Sequence, residues 1–329
     1  MLILPTLELT RPSTIEEAVA ALASAPGETR LLGGGTDLIP NLKQGLLAPR
    51  RLVSLRRIRA LGTMIEEADG SLVIGAGTTL ATIAAEPRIL ARYPALAEAA
   101  GLVASPQIRN LATLGGNLLL DTRCRWYNQS YFWRSALGFC LKKDGDVCHV
   151  VPKGRNCVAT ISADTPGPLL IYRAAVRLQS ARGERTVPID ELFVQDGLRN
   201  TVLADDELLT AVVLPPPAAR LRSAYAKVAV RQSIDFPILS AAVGLTQADD
   251  GRVDSLKVVI GAVASRPRVV TGLEPLLGAP LDDALCVAVA DRAFAFCRPL
   301  STMSIDAAWR RERIRTEVRR CFATLQLSA

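Results

Sequence analysis

Seven cysteines occur in the 329 residues, and four of them, Cys124, Cys140, Cys148 and Cys157, fall within one short stretch. Thiolates are nucleophiles and metal ligands, so this group is a candidate metal centre. The spacing is C-x15-C-x7-C-x8-C. Structural zinc sites draw on close pairs such as C-x2-C, and bacterial ferredoxin runs repeat that pair. Neither pattern occurs, so an iron–sulfur centre, zinc and free thiols all stay open. Two glycine segments form the second candidate site. LLGGGTDL places Gly33, Gly34 and Gly35 directly after Leu31 and Leu32, followed by Thr36, Asp37 and Leu38. SPQIRNLATLGGNLL carries Thr113, Gly115, Gly116 and Asn117, with Asp121 just beyond. Glycine tolerates positive φ and close backbone approach, and successive amides can face a pyrophosphate. Neither segment is a G-x-G-x-x-G fingerprint or a Walker A motif. Each alone reads equally as a tight turn; together they fit a ligand with two phosphates and a long polar middle.

The surrounding sequence must supply elements that hold these loops. Pro12, Ser13 and Thr14 give helix-start chemistry to IEEAVAALASA, where Ile15, Val19 and Leu22 make one apolar face. Pro26-Gly27 ends that helix, and a strand then leads into the first glycine loop. RLVSL and SLVIGAG read as strands. LATIAAEPRILARYPALAEAAGLV reads as two helical pieces split near Pro94. Pro215 to Pro217 mark a boundary, after which SAYAKVAV, LSAAVGLTQ and SLKVVIGAV read as strands and the sequence from about 270 as mainly helical. The alternation indicates an α+β protein. The expected division is 1–218, with a loop insertion at about 121–160, and a smaller α+β domain at 219–329.

Composition narrows the function. Net charge is +7, but the basic residues are dispersed, which argues against nucleic acid. The densest run, Trp309 to Arg320, has Ile314, Val318, Phe322 and Leu325 at helical spacing and reads as an amphipathic helix with a solvated arginine face. No membrane span or secretory signal is recognisable, so a cytoplasmic location is expected, and the cysteines are not a disulfide framework. Cys286, Cys297 and Cys321 read as buried structural thiols. One histidine, His149, supports no hydrolytic triad.

The motifs in order resemble the FAD-binding subunits of the xanthine oxidase and carbon monoxide dehydrogenase family. GGGTDL is similar to that family's first flavin loop and QIRNLATLGGN to its second. IGAGTTL lies between them. SADTPGPLLIYRAAVRLQSARGER matches the segment whose aspartate contacts FAD, here Asp164. YAKVAVRQSIDFPILSAAVGL matches the start of the C-terminal domain, where a lysine approaches the flavin, here Lys227. The resemblance covers essentially the whole chain. It implies a two-part FAD-binding domain and a smaller α+β domain, with FAD on this chain. It also implies no catalytic residue here, since a large molybdopterin subunit carries the substrate site and a small subunit carries 2Fe–2S clusters.

Ordinary members of that family join GGNLLLD to the aspartate segment through a short connection. Here roughly 40 residues intervene, holding two of the three tryptophans and the only histidine. A loop this long, without helix or strand periodicity, needs something to hold it. DTRC, WYNQS-x2-WR and CLK-x2-G-x2-CH resemble the flavoprotein subunits of the 4-hydroxybenzoyl-CoA reductase branch, whose insertion binds a 4Fe–4S cluster. That implies Cys124, Cys140, Cys148 and Cys157 as its ligands, an aromatic-ring-reducing holoenzyme, and an external electron carrier such as a ferredoxin. His149 is expected to pack or hydrogen-bond, and Trp126, Tyr127, Phe132 and Trp133 to cover the centre. The rival readings are a stand-alone FAD oxidoreductase and a zinc-stapled binding protein.

Overall fold

The structure is a computed structural model that describes residues 3–327. Three sheets organise it. Strands β1 (Glu8–Thr10), β2 (Thr29–Leu32) and β3 (Arg51–Ser54) form a small parallel sheet with β3 in the middle. Strands β4 (Met64–Glu66), β5 (Leu72–Gly75), β6 (Ala175–Ser180), β7 (Gly183–Pro188) and β8 (Leu208–Leu214) form an antiparallel sheet in the order β4-β5-β8-β6-β7. Strands β9 (Arg222–Val228), β10 (Leu239–Gln247), β11 (Val253–Gly261) and β12 (Arg268–Val269) form a second antiparallel sheet, backed by helices Asp283–Phe296 and Ala307–Leu327. This arrangement is the expected α+β class.

Local chemistry explains the boundaries. The helix Ile15–Ala23 starts at Thr14, whose side chain accepts from Glu17 N at 3.2 Å, while Glu17 reaches back to Ser13 N at 2.7 Å. The segment expected as two helical pieces forms three: Leu80–Ala85, Pro87–Arg92 and Pro94–Gly101. Pro87 lacks an amide hydrogen, so it opens a new helix capped by Glu86. The helix Ala307–Leu327 buries Ile314, Val318, Phe322 and Leu325 as expected. Its arginine face is not wholly solvated, however. Arg310 is fully buried and donates to the carbonyls of Ile238, Ala262 and Leu300. Burial of Glu317 beside Arg313 likewise departs from a purely exposed charged face. No helix among the described residues is long and apolar enough to cross a membrane.

Small residues bring the two halves together. Strand β10 is buried on both faces, and Gly244 lies where a β-carbon would sit 2.3 Å from Ile171 Cγ2. The helix Pro166–Ile171 therefore docks directly on the C-terminal sheet, and Gly167 rests over Ala242. Tyr172 completes the junction: its hydroxyl accepts from Ala95 N at 3.1 Å and meets Ser223 Oγ. This docking places Asp164, just before the helix, beside strand β9.

Candidate functional site

The two glycine loops are in contact. A β-carbon on Gly34 would stand 1.8 Å from Leu111 O, and one on Gly33 would stand 3.0 Å from Thr113 Oγ1. The second loop is pinned in turn to IGAGTTL, with Gly115 N donating to Ala76 O at 2.8 Å and Leu114 N to Thr78 O at 2.9 Å. Gly35 adopts φ +74°, which a side chain would strain. The amides of Gly34, Gly35 and Thr36 have no acceptor among the described residues. Consecutive N–H groups without an internal acceptor suit an anionic ligand. Gly116 is exposed in the first turn of helix Leu114–Leu118, where Thr113 Oγ1 caps its amide at 3.1 Å. Leu31 and Leu32 hold the first loop through β2, and Leu38 opens the helix after it. Asp37 accepts from Asn41 Nδ2 at 2.9 Å and Arg123 Nη1 at 2.6 Å. Burial pushes its carboxyl pKa up, against the pull of Arg123.

The third part of the site comes from distant sequence. Asn117 Oδ1 accepts from both Thr165 N at 3.1 Å and Thr165 Oγ1 at 2.7 Å, tying the second loop to the aspartate segment. Asp164 is 2% exposed. Its carboxylate accepts from Tyr225 Oη at 2.9 Å and pairs with Lys227 Nζ at 3.2 Å. Lys227 also donates to Leu102 O, 2.9 Å away, just past helix Pro94–Gly101. Tyr225 was not among the expected site residues. Its signal was the i, i+2 spacing to Lys227, which puts both on one face of β9.

Burial raises the Asp164 pKa to about 6, opposed by Lys227 and Tyr225. Since this value lies above the unfolded 3.8, the folded state holds the extra proton between about pH 4 and pH 6. Asp164 therefore contributes less stability as pH rises through that window. We expect the stability advantage of the parent over Asp164→Asn, from urea unfolding, to shrink from pH 4 to pH 6. An advantage that grows over the same window contradicts this burial-dominated account.

The insertion forms a separate pocket beside these loops. Cys124, Cys140, Cys148 and Cys157 are all buried and line one small pocket, with Trp126, Tyr127, Lys142 and His149. Leu46, just beyond the first glycine loop's helix, packs into the same cluster. Burial pushes the Cys124 thiol up to about 11 and raises Cys157, where Ala159 N and Lys142 oppose the rise. No group of three or more His, Cys, Asp or Glu among the described residues is arranged to hold a metal ion. Trp126 Nε1 is buried without a partner among them. His149 hydrogen-bonds Phe139 O and its ring lies 5.2 Å from that of Trp126. Phe132 departs from expectation: it is 82% exposed on the short helix Tyr131–Ala136, whereas the ring of Trp133, though partly exposed, lies 5.7 Å from that of Trp126. Arg134 is the buried residue of that short helix.

Three residues in or around this pocket were not among the expected site residues. Gly197 lies across the cysteines: its β-carbon would fall 2.8 Å from Cys157 Sγ. Nothing in sequence signals it, because it stands 40 positions beyond Cys157. Lys142 donates to Asp121 Oδ1 at 2.9 Å, Thr122 Oγ1 at 2.8 Å and Gly197 O at 2.7 Å. Asp121, expected at the flavin, thus has a partner in the insertion. Arg123 links Asp37 to the ring of Phe236, 4.2 Å from its guanidinium carbon.

Comparison with known proteins adds the family. The FAD binding domain in molybdopterin dehydrogenase matches residues 5–217, and the CO dehydrogenase flavoprotein C-terminal domain matches residues 224–325. The chain is 29% identical over 308 residues to the xanthine dehydrogenase FAD-binding subunit of Escherichia coli, covering 93% of this chain and 91% of that one. It is 29% identical over 307 residues to the carbon monoxide dehydrogenase medium chain of Hydrogenophaga pseudoflava, covering 93% and 92%. A solved structure of reconstituted CO dehydrogenase from Oligotropha carboxidovorans superposes with TM-score 0.81 at 27% identity, over 99% of this chain and 100% of that one.

Proposed function

The chain belongs to the family of FAD-binding domains of molybdopterin dehydrogenases, and we propose that it is the flavoprotein subunit of a 4-hydroxybenzoyl-CoA reductase type enzyme. In this reading it relays electrons between a 4Fe–4S cluster, FAD and the 2Fe–2S clusters of a small partner, while a large molybdopterin subunit holds the substrate. A ferredoxin-like carrier in the cytoplasm supplies the electrons. The observation that carries the reading is the gathering of four insertion thiols in one pocket beside the glycine loops.

Bound FAD and an iron–sulfur cluster supply the redox chemistry, and the chain supplies binding, orientation and charge. The free amides of Gly34, Gly35 and Thr36 suit a pyrophosphate. Glycine at 116 keeps a side chain off that approach, while glycine at 33 and 115 lets the loops pack closely on Thr113 and Ala76. Asp164, locked by Tyr225 and Lys227, presents a fixed polar edge to the ligand's sugar-like middle, and Lys227 brings positive charge towards the ring system. For the insertion, a tetrahedral zinc needs sulfurs about 3.8 Å apart, given Zn–S bonds of about 2.3 Å. The four buried thiols line one pocket. A four-iron cubane binds each thiolate to a different iron and takes a wider set. The unpartnered indole N–H of Trp126 beside the pocket suits sulfur acceptors as well.

Purification of the tagged chain from its own host tests the assignment. The expected complex contains a molybdopterin subunit and a small iron–sulfur subunit, and reduces an aromatic CoA thioester with a low-potential donor. A complex that instead oxidises carbon monoxide or a purine, without ring reduction, contradicts the reductase reading. Robust turnover by the isolated chain contradicts the subunit reading.

A further inference from the structure

The insertion buries a lysine in the wall of its thiol pocket. The Lys142 side chain is only 6% exposed. Its three donors are spent on Asp121, Thr122 and Gly197, so the ammonium group is held in one orientation. The nitrogen lies 5.0 Å from the ring centre of Tyr127, which lines the same pocket. Its counter-charge is less enclosed: the Asp121 side chain is 37% exposed. Water screens the carboxylate more than it screens the lysine. The pocket therefore feels a net positive field from this pair.

Burying an ammonium group is costly, and one partly solvated ion pair recovers only part of that cost. A loop staple needs no such charge; an apolar side chain or a neutral hydrogen bond would serve. A cluster ligated by four thiolates does need it, because the assembly is anionic in both oxidation states. One-electron reduction adds one further negative charge without breaking a bond. A fixed positive charge nearby stabilises the reduced state more than the oxidised one. Resting on the cluster reading above, we propose that Lys142 is a charge-tuning residue that sets the potential of the centre held by Cys124, Cys140, Cys148 and Cys157. Asp121 moderates it from the solvent side. Since Asp121 follows the second glycine loop by four residues, the same pair joins the flavin loop to the cluster pocket.

The test is a redox titration of the purified complex with dithionite as electron source, read by electron paramagnetic resonance of the reduced cluster. At a fixed poise, Lys142→Met should lower the ratio of reduced to oxidised cluster at least tenfold, about 59 mV for one electron. Asp121→Asn should move the ratio the other way, by a smaller factor of roughly two or more because that carboxylate is partly screened. Shifts of opposite sign are not expected from a mere staple. If Lys142→Met loses its iron, the sign of the Asp121→Asn shift decides. Iron-replete variants whose ratios stay at the parent value overturn the role of Lys142 and leave the cluster reading standing. A parent protein without iron overturns the cluster reading, and this proposal with it.

Discussion

Replacing Gly116 with valine is expected to weaken FAD binding about a hundredfold, roughly 2.7 kcal/mol, while leaving the chain folded. The expectation rests on where that residue faces. A β-carbon at Gly116 meets only Thr113 Oγ1, at 3.0 Å, and the residue is exposed. Only the Thr113 hydroxyl must give way to the side chain, and stability should change by about 1 kcal/mol. The branched group would instead stand over the loop on which a pyrophosphate would rest. Gly34→Ala is the contrasting control. Its β-carbon would collide with the backbone of Leu111 at 1.8 Å, so the two loops must separate at a cost of roughly 3 kcal/mol. That variant should lose stability and flavin together. Flavin released on denaturation, measured beside urea unfolding, separates the two. Normal FAD content in folded Gly116→Val would count against this binding surface.

The second large effect belongs to the insertion. Cys140 is buried between the turn at Phe139 and the pocket, with no other thiol in position to replace it. Cys140→Ser should cut iron by more than half and slow flavin reduction by an external low-potential donor by about tenfold or more. FAD should remain bound, because neither glycine loop touches Cys140. A variant that keeps its parent's iron and reduction rate would remove Cys140 from the ligand set.

How much of this was legible beforehand depends on sequence distance. The strand before Gly33 and the helix at Thr14 follow from local patterning, and both form where the residues placed them. LSAAVGLTQ matches β10 because a strand buried on both faces reads as a continuous apolar run. Contacts across the chain left no such trace. The pairing of Asp164 with Lys227 spans 63 positions, and the family resemblance named both residues without joining them. The approach of Gly197 to Cys157 needed the folded backbone. Arg310 carries the same letter as its solvated neighbours, and only tertiary packing decides that its guanidinium satisfies buried carbonyls. Phe132 fails in the opposite sense, since an aromatic residue in a short helix with one buried position has no core to enter. Exposed beside Tyr131 and Leu137, it makes the insertion's outer face apolar.

The central claim is that the four insertion cysteines hold a redox centre beside the flavin loops. Anaerobic iron and zinc analysis, paired with electron paramagnetic resonance of the dithionite-reduced protein, tests it most directly. The account predicts about four irons per chain on this subunit, matching Cys₄ ligation of a cubane, and a paramagnetic signal on reduction. Stoichiometric zinc without iron, in protein never exposed to oxygen, would contradict it, because zinc has no accessible second oxidation state.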